Sequence, residues 1–373
     1  MVLTVRVAAL VAAVLVLAAC GSGPDQGSSP VPLPAAAVDL PGGGTPEVLA
    51  VAGGSVLVGF RRDGRPAVAR RAPDGELSVL PVHPSSGYGA SASWYALAVD
   101  GERLLAVGGD RGGAHGNVRW SVWTGTARGL DEHTQAFSTF GGWGAGDVVG
   151  AVFAPAGPML VGSWQSAAAG NDVAVWTATG DAWNRAPSAG SALASTPTML
   201  NFAIAATRAP GGVLVVGWQA GTDGQHPAVW RHDGARWTAT PLPDGGRIGI
   251  ALAARCGTAD CVAAGRVDGQ LALWRLVEGR WSRVAGLPLI AVGERDPIAA
   301  PLLRGDRIVQ LAADGGRVVA LEVAASGSTV RPVAAVDGPV RAAVTAGADV
   351  FVLAGEPARL WQVPGLGEEL LRR

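Results

Sequence analysis

The feature that most constrains the fold of this chain is a repeat with a period of about 49 residues. In each copy an apolar run ends in a small-residue step, usually Val-Gly. Six copies of this step end at glycines: Gly59, Gly108, Gly162, Gly217, Gly265 and Gly355. A degenerate copy, Ile308 to Leu311, fills the long interval between the last two. A repeat of this length predicts adjacent copies of one supersecondary unit.

Tryptophans mark a second position in the same repeat. Ala-Val-Trp or Ala-Leu-Trp recurs, and a second Trp follows seven residues later, across a turn that contains Gly or Asp. The pairs are Trp176 with Trp183, Trp230 with Trp237 and Trp274 with Trp281, and weaker copies of the first position are Trp123 and Trp361. Because these indoles recur at equivalent positions, we expect them to pack in the core.

The residues between these markers predict the fold class. Each unit holds four short runs rich in Val, Leu, Ala and Trp, separated by Gly, Asp and Pro turns. Such evenly spaced strands predict an all-β, seven-bladed β-propeller, with six or eight blades as alternatives. Several units close on a Leu-Pro step, and Leu40-Pro41 has the same step before the first unit. Residues 35–41 are therefore expected to form the outer strand of the last blade, an edge for which Glu368 to Arg373 could compete.

The amino-terminal segment has the parts of an export signal. Arg6 lies in a short n-region, an apolar stretch runs from Val7 to Leu17, and two alanines precede Cys20. The sequence from Leu17 to Cys20 resembles the lipobox of bacterial lipoproteins. That resemblance implies cleavage before Cys20 and lipidation of this cysteine, with palmitate as a typical acyl group. An uncleaved anchor helix or an ordinary secretory signal is the alternative.

The lipobox resemblance divides the chain into a signal peptide (1–19), a lipidated cysteine with a disordered linker (20–34) and a propeller domain (35–373). Apolar side chains are nearly absent at the start of this linker, so it cannot offset its ordering entropy by burial. Two acyl chains would hold the protein at the extracytoplasmic face of the cell membrane. The formal net charge of −1 argues against a nucleic-acid partner.

The remaining two cysteines, Cys256 and Cys261, are expected to form a disulfide in an exported protein. No metal site is expected, since no second ligand pair lies at suitable spacing. The repeats resemble the BNR or Asp-box class of propeller, in the versions common in exported actinobacterial proteins. Arg231 to Trp237 is similar to a degenerate Asp-box hairpin, and the Cys256–Gly265 segment is similar to another element of these repeats. The resemblance extends over about residues 42–367 and implies a fold more than an activity.

A candidate binding face follows from the usual strand order of a propeller blade. The residues just after the Val-Gly step then lie in turns that converge on one face. They are Phe60, Arg61, Asp110, Arg111, Trp164, Gln165, Trp218, Gln219 and Arg266. The long segments between units add aromatic and histidine side chains to this face: His83, Tyr88, Trp94, Tyr95, His133 and Trp143. Polar and aromatic loops on a rigid scaffold favour binding, whereas a recurring Trp-Gln pair can also be a packing feature of the blade.

No catalytic constellation is recognisable in the sequence. Sialidases share this repeat class and use an arginine cluster, a tyrosine nucleophile with a glutamate partner and an acid/base aspartate. Their Phe-Arg-Ile-Pro motif is missing, and Phe60 to Asp63 is only a distant match. Tyr88 and Tyr95 have no close glutamate except Glu102. Hydrolase elbow, zinc-protease and phosphate-loop motifs are absent, so we expect no cofactor.

Two functions remain for this sequence. The first is a lipid-anchored, extracytoplasmic, non-catalytic propeller that binds or scaffolds a protein or glycan at the cell envelope. The alternative is a glycan-active enzyme, a sialidase-like hydrolase or a lyase, with a pair of carboxylates at the centre of the face.

Overall fold

The computed structural model describes residues 30–112 and 116–369. This part of the chain forms seven antiparallel blades around a central channel, so the prediction of a seven-bladed β-propeller is confirmed. The signal peptide and Cys20 lie outside the described residues, and lipidation of Cys20 stays a prediction. No helix in the described ranges has the length and apolar character needed to cross a membrane.

The blades follow one another in chain order. Strand β1 (Ala36–Val38) precedes blade 1, which contains β2 (Thr45–Ala52), β3 (Ser55–Arg62), β4 (Arg65–Arg71) and β5 (Leu77–Leu80). Strand β6 (Val82–His83) precedes blade 2, which contains β7 (Ser93–Asp100), β8 (Arg103–Arg111), β9 (Val118–Thr126) and β10 (Gly129–His133). Blade 3 contains β11 (Ala145–Ala154), β12 (Gly157–Gln165), β13 (Asn171–Thr179) and β14 (Ala182–Arg185). Blade 4 contains β15 (Leu200–Ala209), β16 (Gly212–Gly221), β17 (Gly224–His232) and β18 (Trp237–Pro241).

The remaining blades have the same plan. Blade 5 contains β19 (Gly249–Cys256), β20 (Cys261–Val267), β21 (Gln270–Val277) and β22 (Arg280–Arg283). Blade 6 contains β23 (Leu302–Arg304), β24 (Arg307–Asp314), β25 (Arg317–Ala324) and β26 (Gly327–Asp337). Blade 7 contains β27 (Val340–Ala346), β28 (Asp349–Ala354) and β29 (Arg359–Val363). The short helices are α1 (Gly87–Ala90), α2 (Phe137–Phe140) and α3 (Leu366–Glu369).

The ring is closed by the amino-terminal strand, as predicted. Strand β1 pairs antiparallel with β29 and completes blade 7, with Ala37 opposite Trp361. Leu40, just after β1, is buried in the core between blades 7 and 1. Leu33, just before it, is buried in the core between blades 6 and 7. The segment before blade 1 therefore belongs to the folded ring on both sides of its short strand. Blade 2 also gains a fifth strand, because β6 pairs parallel with β10.

A β-bulge in the innermost strand explains the recurring glycine in blades 4 and 5. In blade 4, Ala203 pairs with Gly217 and Ala205 with Val216, so Ile204 is the extra residue of the inner strand. A Cβ atom on Gly217 would lie 1.9 Å from the carbonyl oxygen of Phe202. The equivalent Gly265 has the same constraint from Ile250, at 2.0 Å. The bulge pushes the inner strand against the second strand, and only glycine leaves room for that backbone.

The first tryptophan of each pair occupies the core, as the repeat predicts. Trp123, Trp176, Trp230 and Trp274 are at most 1% exposed. The indole N–H of Trp176, Trp230 or Trp274 donates to a carbonyl in the segment that leads into its own blade, at 2.7 to 3.1 Å. A buried indole N–H without a partner costs free energy, and these carbonyls accept the hydrogen bond. The repeated indole thus fixes the inter-blade segment against the blade.

The disulfide between Cys256 and Cys261 is confirmed. The two cysteines form the pair that closes the turn between β19 and β20, the first and second strands of blade 5. The bridge fixes a hairpin at the end of the innermost strand.

Candidate functional site

The antiparallel order of each blade divides its turns between two ends of the channel. We call "upper face" the end with the turns from second to third strand and the segments between blades. We call "lower face" the end with the turns from first to second and from third to fourth strand. All nine residues predicted after the Val-Gly step lie at the ends of β3, β8, β12, β16 and β20, on the upper face.

Phe60 does not belong to the binding surface, so that part of the prediction is wrong. The side chain is 0% exposed and packs in the core between blades 7 and 1, with Val58 and Leu353. Successive side chains on a strand point to opposite sides of the sheet, and at this position the side chain points into the interface between blades.

Trp164 and Trp218 are largely accounted for by packing within the blades. The Trp164 ring meets Trp176 edge-on at 6.3 Å, and the guanidinium of Arg185 lies 4.6 Å from its centre. The Trp218 ring stacks on Phe202 with centroids 4.0 Å apart. Of their neighbours, Gln219 donates to Asn201 Oδ1 at 2.9 Å, while Gln165 is exposed. These contacts favour the packing interpretation of the Trp-Gln repeat.

The charged candidates mostly hold loops in place. Asp110 accepts a hydrogen bond from Ser91 Oγ at 2.8 Å, Arg111 Nη1 donates to Gly116 O at 2.9 Å, and Arg266 Nη1 donates to Gly293 O at 2.6 Å. Arg61 Nη1 donates to Ser93 Oγ at 3.3 Å, which links blade 1 to blade 2. These four side chains therefore lie in four separate contacts and do not form one site.

Glu47 is a partly buried carboxylate on the upper face. It is the bulge residue of β2, and its Oε2 accepts the backbone N–H of Trp94 at 2.6 Å. Burial raises the pKa of the Glu47 carboxyl, against the opposing effects of that N–H and of the charge on Arg61. The carboxylate joins blade 1 to blade 2, which is a structural role.

The upper face has a cleft of about 720 Å³ between blades 2 and 3. We call it the aromatic cleft. The aromatic residues that line it are Trp120, Phe137, Phe140 and Trp143, and the polar residues include Arg111, Arg119, Asp147, Ser163 and Asn171. Arg111 is the one residue of the nine predicted after the Val-Gly step that lies here. Trp143 was expected on this face from its position in an inter-blade segment.

The segment between β10 and β11 positions the aromatic rings of this cleft. Helix α2 buries Phe140, whose ring lies 5.6 Å from Trp176. Phe137, at the other end of the helix, is 60% exposed. Glycines flank Trp143 on both sides, and Gly142 has a φ of 105°, a conformation that other residues rarely adopt. Trp143 is 100% exposed on this turn.

Polar groups border these rings. The guanidinium carbon of Arg119 lies 4.7 Å from the centre of the Phe137 ring, a cation–π distance. Trp120 meets Tyr95 edge-on at 4.8 Å, so the aromatic surface continues towards the innermost strand of blade 2. Among the described residues that line the cleft, Asp147 is the only one with a carboxylate. The cleft thus offers flat apolar surfaces beside cationic and amide donors.

Apart from Arg111 and Trp143, the sequence did not reveal the residues of this site, and Phe137 and Arg119 show why. Phe137 lies in the same long inter-blade segment as Phe140 and Trp143, and this local concentration of aromatic residues was the available signal. Arg119 lies 18 residues earlier, in β9 of blade 2, and only the fold brings the two side chains together. Among residues 30–112 and 116–369, no group of three or more His, Cys, Asp or Glu side chains could hold a metal ion.

A comparison of the sequence with protein-family models finds no match, and neither does a comparison with curated proteins. A comparison with solved structures finds other proteins with the propeller fold. The virginiamycin B lyase from Staphylococcus aureus, in its inactive form with quinupristin, is 12% identical, with a TM-score of 0.55 over 88% of this chain and 98% of the lyase. A streptogramin B lyase is 10% identical, with a TM-score of 0.53 over 87% of this chain and 95% of that one. Trypanosoma rangeli sialidase is 10% identical, with a TM-score of 0.47, and the match covers 92% of this chain and 59% of the sialidase. At these identities the two lyases show the fold alone.

Proposed function

We propose that this protein is a lipid-anchored, extracytoplasmic binding propeller that takes a glycan in the aromatic cleft. The observation that carries the proposal is Trp143, a tryptophan with its whole side chain in solvent at the mouth of a concave site. A large apolar ring gains nothing for the fold in that position, because it buries no surface there. Exposed aromatic rings in clefts are typical of binding sites.

The chemistry around the rings favours a sugar over a purely apolar ligand. A sugar ring has an apolar C–H face and a polar hydroxyl edge. Trp143 and Phe137 offer flat surfaces for the first, while Arg111, Asp147 and Asn171 offer donors and acceptors for the second. The volume of about 720 Å³ is within the range of small-ligand sites, and fits a short oligosaccharide.

A binding role fits the described lining better than glycoside hydrolysis does. Most retaining and inverting glycosidases use two carboxyl groups on either side of the scissile bond, whereas sialidases use a tyrosine nucleophile with a glutamate partner and an acid/base aspartate. No tyrosine is among the described residues that line the cleft. Asp147 is the only carboxylate among the described residues that line the aromatic cleft. Glu47 lies in another part of the upper face, where it accepts the backbone N–H of Trp94. Turnover of an oligosaccharide would therefore require an acid from elsewhere.

The binding proposal is tested with the full chain on an array of purified bacterial envelope oligosaccharides, followed by calorimetry with the best one. We expect saturable binding that Trp143→Ala weakens by about 10- to 100-fold, since loss of an aromatic anchor typically costs a few kcal/mol. The matched control is Leu289→Ala, which removes another apolar side chain from an inter-blade segment, 84% exposed and distant from the cleft. Binding should be unchanged in this control.

Three results would contradict the binding proposal. Equal affinity in the wild type and Trp143→Ala would remove the aromatic cleft as the site. Binding of an envelope protein without any oligosaccharide would reject the glycan. Release of shortened oligosaccharides would replace the binding role by the glycan-active enzyme.

Anchoring rests on the lipobox resemblance and has a separate test. Metabolic labelling with a clickable palmitate analogue should label the wild type, and Cys20→Ser should abolish that label and release the protein from the membrane fraction. The Ser22→Ala variant, two residues further on, should keep the label. A label that persists in Cys20→Ser would show that the lipid is attached elsewhere.

A further inference from the structure

The central channel has a cavity of about 450 Å³ that opens on the lower face. Its wall is built from the ends of the seven innermost strands. One register position, the residue just before the pair that closes the first hairpin of each blade, lies at the same level in all seven. These residues are Val51, Val99, Phe153, Arg208, Arg255, Leu303 and Thr345. The side chains at this level are apolar except for Thr345 and two arginines on adjacent blades, Arg208 and Arg255.

The two arginines differ in how their charge is balanced. Arg208 reaches from blade 4 to blade 2, where its Nη1 lies 2.7 Å from Asp100 Oδ1. The neighbouring Arg103 also contacts Asp100, and these two cations hold the pKa of that carboxyl below its usual range. Arg208 therefore has a counter-charge.

Arg255 has hydrogen bonds without a counter-charge. Its Nε donates to Pro301 O in the approach to blade 6 at 2.7 Å, and its Nη2 donates to Ala343 O in blade 7 at 3.1 Å. No carboxylate among the described residues forms an ion pair with it. Burial lowers the pKa of Arg255, but a guanidinium stays protonated in proteins. The channel thus contains a cation whose two carbonyl partners solvate it but do not neutralise it.

An unneutralised cation in an apolar channel is costly, and an anion at this position would remove the cost. A guanidinium has five N–H donors, of which the two carbonyls use two. The remaining donors can bind an oxyanion through more than one oxygen, which is the geometry that arginine favours. Thr345 adds a hydroxyl donor at the same level.

We propose that the lower mouth of the channel is a binding site for a small oxyanion, with Arg255 as its principal ligand. Inorganic phosphate or sulfate and the carboxylate of a small organic acid share the required chemistry. The site lies at the opposite end of the molecule from the aromatic cleft and is independent of the proposed glycan. The disulfide at Cys256 adjoins Arg255 and fixes the hairpin that carries it, so the cation is held in place before the anion arrives.

The test measures binding of sodium phosphate, sodium sulfate and sodium acetate to the full chain by calorimetry, at an ionic strength held constant with sodium chloride. We expect saturable binding of at least one of them, and the order of affinities distinguishes a tetrahedral anion from a carboxylate. Arg255→Gln should weaken binding by about 10- to 100-fold, the range for loss of charge-assisted hydrogen bonds. Arg283→Gln is the matched control. It removes the same charge from another carbonyl-bonded arginine, on the outer strand of blade 5.

A second variant tests the charge argument in the opposite way. Thr345→Glu places a carboxylate at the level of Arg255, so it should neutralise the cation and weaken anion binding by a similar factor. It carries the test if Arg255→Gln fails to fold. Absence of saturable binding in the wild type would overturn the proposal. So would binding that both channel variants leave unchanged, or binding that Arg283→Gln reduces as much as Arg255→Gln.

Discussion

Replacing Trp230 with alanine is expected to lower the free energy of unfolding by about 3–5 kcal/mol, the usual cost of deleting a buried Trp or Phe side chain. The ring is 0% exposed and packs in the core between blades 3 and 4. Its N–H donates to Ala192 O at 3.1 Å, so the variant also leaves a carbonyl of the inter-blade segment without this donor. Urea unfolding of the full chain, followed by circular dichroism, measures the change.

Trp143→Ala is the matched control for this stability prediction. It deletes the same side chain from a position where it is 100% exposed, so unfolding should shift by less than about 0.5 kcal/mol. The two variants should therefore separate: one loses stability and the other loses the ligand. A loss below about 1 kcal/mol in Trp230→Ala would contradict the view that the repeated indole fixes the inter-blade segment.

Leu40→Ala tests the closure of the ring and is expected to cost about 2–5 kcal/mol. Leu40 is 7% exposed and packs with Phe60 and Leu360, one residue from each of the two blades that meet at the closure. Loss of this contact weakens the segment that carries β1 into blade 7. We expect a lower midpoint of urea unfolding and faster proteolysis of the segment before blade 1.

Val31→Ala is the control for the closure variant. Val31 lies in the same segment but is 79% exposed, so its truncation should leave both measurements unchanged. If Leu40→Ala unfolds at the same urea concentration as Val31→Ala, the amino-terminal strand is not required to hold the ring together.

The architecture could be predicted from the sequence because each blade has the same local sequence signals. The Val-Gly step, the paired tryptophans and the Leu-Pro endings recur with one period, so each copy supports the assignment of the others. The recurring glycine also has a cause that only the structure shows. At Gly217 it is the bulge around Ile204 that excludes a side chain.

The candidate site was harder to predict, since it depends on contacts between blades. Phe60 illustrates the difficulty at the level of one residue: the choice between core and surface depends on the strand register beside a bulge. Arg119 lies in β9 of blade 2 and Phe137 in the segment between blades 2 and 3, and no repeat relates them. The level that unites Arg208 and Arg255 is likewise visible only when the pair that closes the first hairpin of each blade is known.

The closure of the ring also determines when folding can be completed. Ala37 pairs with Trp361, about 320 residues further along the chain, which is a contact of very high sequence separation. During synthesis β1 has no partner until β29 has formed. Until then the array of the first six blades is open, and β1 stays unpaired. A nascent chain that stops before β29 cannot form this ladder, however well its completed blades have folded. Synthesis of β29, rather than formation of any single blade, is therefore the event that permits the native topology, and until then an uncovered strand edge is open to pairing with another unfinished chain.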